Sequence, residues 1–155
     1  MLVHYTTPDQ KTQEIWFETL IAASPYTILY FYPKDNTPGC SLEARTFSSL
    51  LPEFEQRGVQ IIGVSRDSSA SHCSFISKQG LTIGLITDAE LTLHRQFSAR
   101  WEKKNYGKIY EGTIRSTFLL DSKGQILKER RNVKATGHAE RVLKEIQSIL
   151  SVSYT

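Results

Sequence analysis

The stretch FYPKDNTPGCSLEAR, residues 31–45, sets a cysteine, Cys40, directly behind a Pro-Gly pair, where a hydrophobic run gives way to a helical pattern. Ahead of it, TILYFY (residues 27–32) is β-branched and aromatic and is closed by Pro33, which is the composition of a buried central strand. Behind it, Thr37 stands as a helix N-cap and Pro38 as the first helical residue. Phe47, Leu50, Leu51 and Phe54 then recur at i, i+3, i+4, i+7 up to Gly58, predicting a helix over residues 41–57. Pro52 interrupts that run and predicts a kink or a restart there.

Outward from this unit the same alternation continues. GVQIIGVS (58–65), LTIGLIT (81–87) and STFLLD (116–121) read as further strands, and QILKERRNV follows STFLLD after the turn Asp121-Ser122-Lys123-Gly124 as the second arm of an antiparallel hairpin. Helices are expected at 68–79, with Asp67 as N-cap and Ala70, Cys73 and Ile76 along one side, at 89–100, and at 138–150. Ahead of Thr27 the pattern gives a short strand at 14–17 and a turn of helix. Strands alternating with helices, then a hairpin and a terminal helix, predict an α/β fold with a mixed central β-sheet and helices on both faces, in a single domain over residues 1–155.

Composition sets limits on function. The chain has 155 residues, of which 39% are hydrophobic and 23% charged, so it can build a core without disulfide staples. A net charge of +3, with basic residues interleaved among acidic ones, argues against nucleic acid as a partner. The densest basic run, LKERRNVK (127–134), reads as a solvated sheet edge. The first ten residues lack the pattern of a signal peptide, and no apolar run nears the ~18 residues of a membrane span, so a cytoplasmic location is expected and no membrane. In a reducing compartment the two cysteines, Cys40 and Cys73, are either two inert small hydrophobes or a redox couple.

Placed in the first turn of a helix, Cys40 meets unpaired backbone N–H groups and the positive end of the helix dipole, which favour a thiolate. Lowering a thiol pKa from about 8.5 to about 6.5 raises the thiolate share at pH 7 from roughly 3% to roughly 75%. Nucleophilicity falls with basicity, and a Brønsted slope of ~0.45 takes back about eightfold, leaving a gain of about threefold. A fast nucleophile here therefore needs donors that stabilise the transition state. Two candidates are Thr37, which is otherwise a helix cap and nothing more, and Arg115, which is otherwise a surface arginine.

PKDNTPGC matches the Pro-x-x-x-Thr-x-x-Cys signature of the peroxiredoxins, and FYPKDNTPGC followed by SLEA resembles the subfamily called bacterioferritin comigratory protein or peroxiredoxin Q. The likeness extends through GVQIIGVSRDS, WEKKNYGKIYEGTIRSTFLLDSKGQI and KATGHAERVL, so it covers about residues 27–150. It implies a thioredoxin-like fold and a thiol-dependent peroxidase. Cys40 becomes the peroxidatic cysteine, whose thiolate takes the terminal oxygen of hydrogen peroxide or an organic hydroperoxide and becomes a sulfenic acid. By the same resemblance Thr37 and Arg115 polarise the peroxide and hold the thiolate, and Pro33 shields the sulfur from water. Glu43 orients an arginine, or is a plain exposed carboxylate at a helix start. Trp101, Lys103, Lys104, Asn105 and Tyr106 fall in a loop near the active site, where packing explains them as well as substrate contact does. No metal, haem or flavin is expected, since the four histidines show no ligand spacing.

Many relatives carry a resolving cysteine five residues after the peroxidatic one, and here that position is Arg45. Others carry it on the helix after the second strand, near the place of Ile76. Cys73 lies on that helix, three residues and about 60° away. The resemblance thus implies a Cys40–Cys73 disulfide, recycled by thioredoxin or a similar dithiol, with both helix starts unwinding to form it; the monomer is the expected state. The alternatives are a one-cysteine peroxidase served by an external thiol, a thiol-disulfide oxidoreductase, which needs a C-x-x-C where Glu43 stands, and a non-enzymatic binding module.

Overall fold

Residues 1–150 are described by the structure, a computed structural model. In chain order the elements are β1 (Leu2–Thr6), β2 (Thr12–Trp16), α1 (Phe17–Ala22), β3 (Tyr26–Phe31), α2 (Pro38–Glu55), β4 (Val59–Ser65) and α3 (Ser69–Gln79). They continue as β5 (Gly84–Thr87), α4 (Thr92–Gln96), β6 (Arg100–Asn105), β7 (Lys108–Thr113), β8 (Ser116–Asp121), β9 (Ile126–Arg130) and α5 (His138–Leu150).

Side chains of β3 alternate strictly: Ile28 and Tyr30, with Tyr32 just beyond, enter one apolar cluster, while Leu29 and Phe31 enter another. A strand buried on both faces belongs in the middle of a covered sheet. The sheet order is β2-β1-β5-β4-β3-β8-β9, with β3–β4 and β4–β5 parallel and the other pairs antiparallel. On one face α2, α3 and α5 supply Phe47, Phe54, Phe75, Ile76, Val142 and Ile146. On the other, α1 and α4 with the residues after it supply Leu20, Ile21, Leu93 and Phe97. This is the mixed α/β sheet with helices on both faces that the patterning predicts, and no described helix is long and apolar enough to cross a membrane.

Several local expectations are corrected. Of the kink or restart expected at Pro52, the restart does not occur, since α2 runs as one helix to Glu55. Proline removes one helical N–H, so the carbonyl of Ser48 loses its intrahelical donor, and Thr82 Oγ1 donates to it instead at 3.2 Å. Ser68, rather than Asp67, caps α3 by accepting from the Ser71 N–H, while the Asp67 carboxylate accepts from Ser65 Oγ and the Asp35 N–H. The core side of α3 is His72, Phe75 and Ile76, with Cys73 half-buried on its flank and Ala70 exposed. The helix expected at 89–100 shrinks to Thr92–Gln96, because the Asp88 carboxylate caps it late, accepting from the Leu93 and His94 N–H groups. The strand expected at 81–87 is limited to Gly84–Thr87, and β1, which pairs with both β2 and β5, has no sequence expectation at all. The basic run after Asp121 does form an edge strand, β9, with each of its five residues exposed.

One buried histidine makes this packing sensitive to acid. His138 opens α5, is 3% exposed, and shares a 2.7 Å hydrogen bond between its Nε2 and Thr117 Oγ1, with the Phe47 ring edge-on. Burial first, and then the nearby Arg141 cation, push its pKa from 6.5 down to about 4. Between those values the unfolded chain binds a proton that the folded chain does not, so the His138 contribution is present above pH 6.5 and is lost as pH falls toward 4. Urea midpoints measured from pH 7 to 4.5 should fall more steeply for the native chain than for His138→Gln.

Candidate active site

The pairing of β3 with β8 builds the centre. Phe31 lies opposite Ser116, so Arg115, one residue before β8, stands beside the chain as it leaves β3 toward α2. Its backbone is held there by the Val133 N–H, which donates to the Arg115 carbonyl at 3.0 Å. Cys40 is the third residue of α2 and only 1% exposed. Arg115 Nη2 donates to its sulfur at 3.2 Å, and Nη1 is ion-paired with Glu43 Oε1 at 2.5 Å. Three residues of helix bring Cys40 and Glu43 onto one face, which lets one planar guanidinium hold both.

Charge is unevenly shielded here. The Glu43 side chain is fully buried, and burial pushes its pKa up to about 7, against the pull of Arg115. Burial alone would ease the proton off Arg115, but the charges of Glu43 and Cys40 outweigh it and raise its pKa. Beneath them lies Tyr30, whose phenol pKa is driven well above its ordinary value by burial and by the charges of Glu43 and Cys40. The Tyr30 hydroxyl and Glu43 Oε2 are both buried with no hydrogen-bond partner.

The other sequence candidates are placed as follows. Thr37 is the N-cap residue by backbone conformation, but its hydroxyl makes no cap bond; it donates to the Lys34 carbonyl at 2.8 Å and so keeps its lone pairs free to accept. Pro33 is exposed at the first step of the loop. Residues 101–106 are not a loop: β6 and β7 form a two-stranded ribbon in which the Trp101 ring covers Gly112, and Tyr106 and Gly107 make the turn. Cys73 is not beside Cys40. Both are free thiols, and Cys73 Sγ faces the Gln10 carbonyl at 3.6 Å, in the turn between β1 and β2. In the sequence Tyr30 reads as one more aromatic of a buried strand, and its alternation with Tyr32 is the signal that places it on the Cys40 side of the sheet.

The AhpC/TSA family pattern matches residues 2–129. The chain belongs to that family. Peroxiredoxin Bcp of Xanthomonas campestris is 47% identical over 126 residues, covering 81% of this chain and 79% of the relative, and Peroxiredoxin Bcp of Bacillus subtilis is 43% identical over 124 residues, covering 80% and 79%. The solved Xanthomonas campestris bacterioferritin comigratory protein, studied for its alkyl peroxide reduction activity, superposes with a TM-score of 0.86 at 39% identity, covering 97% of this chain and 92% of that one. As a peroxiredoxin of the bacterioferritin comigratory protein or peroxiredoxin Q type, the protein is a thiol peroxidase with a thioredoxin-like fold.

Glu43 gives this peroxiredoxin a second pH signature, opposite in sign to that of His138. A carboxyl whose folded pKa is raised contributes stability below its unfolded value of 4.5 and loses it as pH rises through about 7. The stability of the native chain relative to Glu43→Gln should therefore decline from pH 4.5 to pH 7.5 in paired urea titrations.

Proposed function

We propose that the protein reduces hydrogen peroxide and organic hydroperoxides through Cys40, resolves the product with Cys73, and is recycled by thioredoxin or a similar dithiol. The observation that carries this reading is the Arg115 guanidinium, with one nitrogen at 3.2 Å from the Cys40 sulfur and the other on Glu43. The thiolate attacks the terminal oxygen of ROOH; the S–O bond forms as the O–O bond breaks, and the leaving alkoxide takes up a proton and departs as ROH. Arg115 stabilises both the thiolate and the negative charge that moves onto the peroxide oxygens. Thr37, its own proton committed to Lys34, accepts a hydrogen bond from the peroxide O–H and so orients it. Pro33 covers the mouth of the site as the substrate arrives, and Glu43 acts through Arg115 rather than on the substrate.

The sulfenic acid of Cys40 then condenses with the Cys73 thiol to give a disulfide and water, and a dithiol returns both to thiols. Because Cys73 points toward the β1–β2 turn, this step requires the first turns of α2 and α3 to open. The protein works as a monomer in the cytoplasm, one chain holding both cysteines.

Cys40→Ser should abolish turnover in a peroxide-consumption assay coupled to thioredoxin, its reductase and NADPH; substantial residual turnover would refute the assignment. Arg115→Lys keeps the charge but loses the two-pronged geometry, and kcat/KM for peroxide should fall about 100-fold. After one equivalent of peroxide, intact-mass analysis should show loss of two hydrogens and no free thiol, an outcome abolished by Cys73→Ser. A gain of one oxygen with Cys73 still open to alkylation would overturn the two-cysteine cycle and favour an external thiol.

A further inference from the structure

Between the two cysteines lies a buried polar cluster that the peroxidase chemistry does not use. Asp35, five residues before Cys40, has a side chain only 1% exposed. Its Oδ1 accepts from Tyr32 Oη at 2.6 Å, and its Oδ2 accepts from Ser71 Oγ at 2.8 Å and pairs with His72 Nδ1 at 2.7 Å. Tyr32 and Asp35 belong to the segment that carries the chain from β3 to Cys40, whereas Ser71 and His72 belong to the first turn of α3, immediately before Cys73. The His72 ring is fully buried, and its other nitrogen faces the Ile86 carbonyl on β5 at 3.1 Å. Asp67 adds a backbone tie by accepting from the Asp35 N–H at 2.9 Å.

We propose that Asp35, through Ser71 and His72, is a latch that holds the two cysteine-bearing segments closed and sets how long the sulfenic acid of Cys40 survives before Cys73 reaches it. The inference rests on the two-cysteine cycle proposed above. Cys73 cannot swing toward Cys40 while its neighbour His72 is wedged between Asp35 and β5, so the first turn of α3 leaves only when that pair parts. A carboxylate with three donors in a dry site is expensive to strip, because each lost partner leaves a buried polar group unpaired. The tie at the other end of α3, where Gln79 meets Arg45 and Asn36, is exposed and adds little.

Once formed, the sulfenic acid has two fates, the first open to it only after the latch parts and the second while it is closed. Condensation with Cys73 releases water and forms the disulfide; attack on a second ROOH forms the sulfinic acid and releases ROH. A tighter latch favours the second. Asp35 is thus a positioning residue for resolution, and its effect is read as a partition between two products rather than as overall activity.

The test is to expose the native chain, Asp35→Asn and Ser71→Ala to graded hydroperoxide and to separate disulfide from sulfinic acid by intact mass. The peroxide concentration giving half sulfinic acid should rise about tenfold in Asp35→Asn and by a smaller factor in Ser71→Ala, while the rate of Cys40 oxidation in single-mixing experiments moves less than threefold. Hydrogen exchange of the same proteins in the reduced state should show residues 33–40 and 69–74 opening faster together in both variants. Disulfide in the native chain with an unchanged partition in both variants overturns the latch alone. Sulfenic acid in the native chain with Cys73 free overturns the two-cysteine cycle, and the latch's role in resolution with it. Should Asp35→Asn not fold, Ser71→Ala decides both readouts.

Discussion

The geometry of the candidate site depends on one guanidinium placed at the start of one helix. Arg115 is the only group that touches both the Cys40 sulfur and the Glu43 carboxylate among the hydrogen bonds of the described residues. Its position is a product of sheet register: pairing β3 with β8 one residue out of step would move Arg115 away from the start of α2. The hydrophobic alternation that buries Leu29 and Phe31 on one face and Ile28 and Tyr30 on the other therefore also decides where the cation stands. Core packing and the geometry of the candidate site are specified by the same residues.

That dependence explains what the sequence makes legible. The strand, loop and helix around Cys40 carry strong local signals, a β-branched run closed by Pro33, an N1 proline and a regular apolar spacing, and they appear where the patterning puts them. The meeting of Cys40 with Arg115 is legible because the first stands in a contiguous motif and the second just before a strand, whereas the Thr37 hydroxyl turns to the Lys34 carbonyl, a local choice that spacing does not reveal. Legibility fails where a distant partner decides the outcome. Asp88 redirects the start of α4 through its carboxylate, and Ser68 outcompetes Asp67 because Asp67 is drawn to Ser65 and to the Asp35 backbone. Residues 101–106 form a ribbon because they find a pairing strand in 108–113, which single-strand periodicity does not reveal.

The burial of Glu43 shows the same limit in energetic form. In the sequence it reads as an ordinary carboxylate near a helix start, and only the arrival of Arg115 from 72 residues away makes its burial tolerable. Even so, one of its oxygens and the Tyr30 hydroxyl below it stay unpaired, so the centre holds its charges without relaxing them fully. Such a site exchanges some folding stability for a preset electrostatic field, a common feature of catalytic centres.

The exposed last strand has a bearing on crowding in concentrated solution. β9 offers a free row of backbone groups to any passing strand, yet Lys128, Glu129 and Arg130 crowd it, and Lys128 and Arg130 are turned toward Glu145 of α5. Another chain pairing there would have to strip water from those charges and pull two of them off the helix, so sheet growth from molecule to molecule is opposed at this border. The charges that hold β9 to α5 therefore also oppose strand addition at this one edge of the sheet.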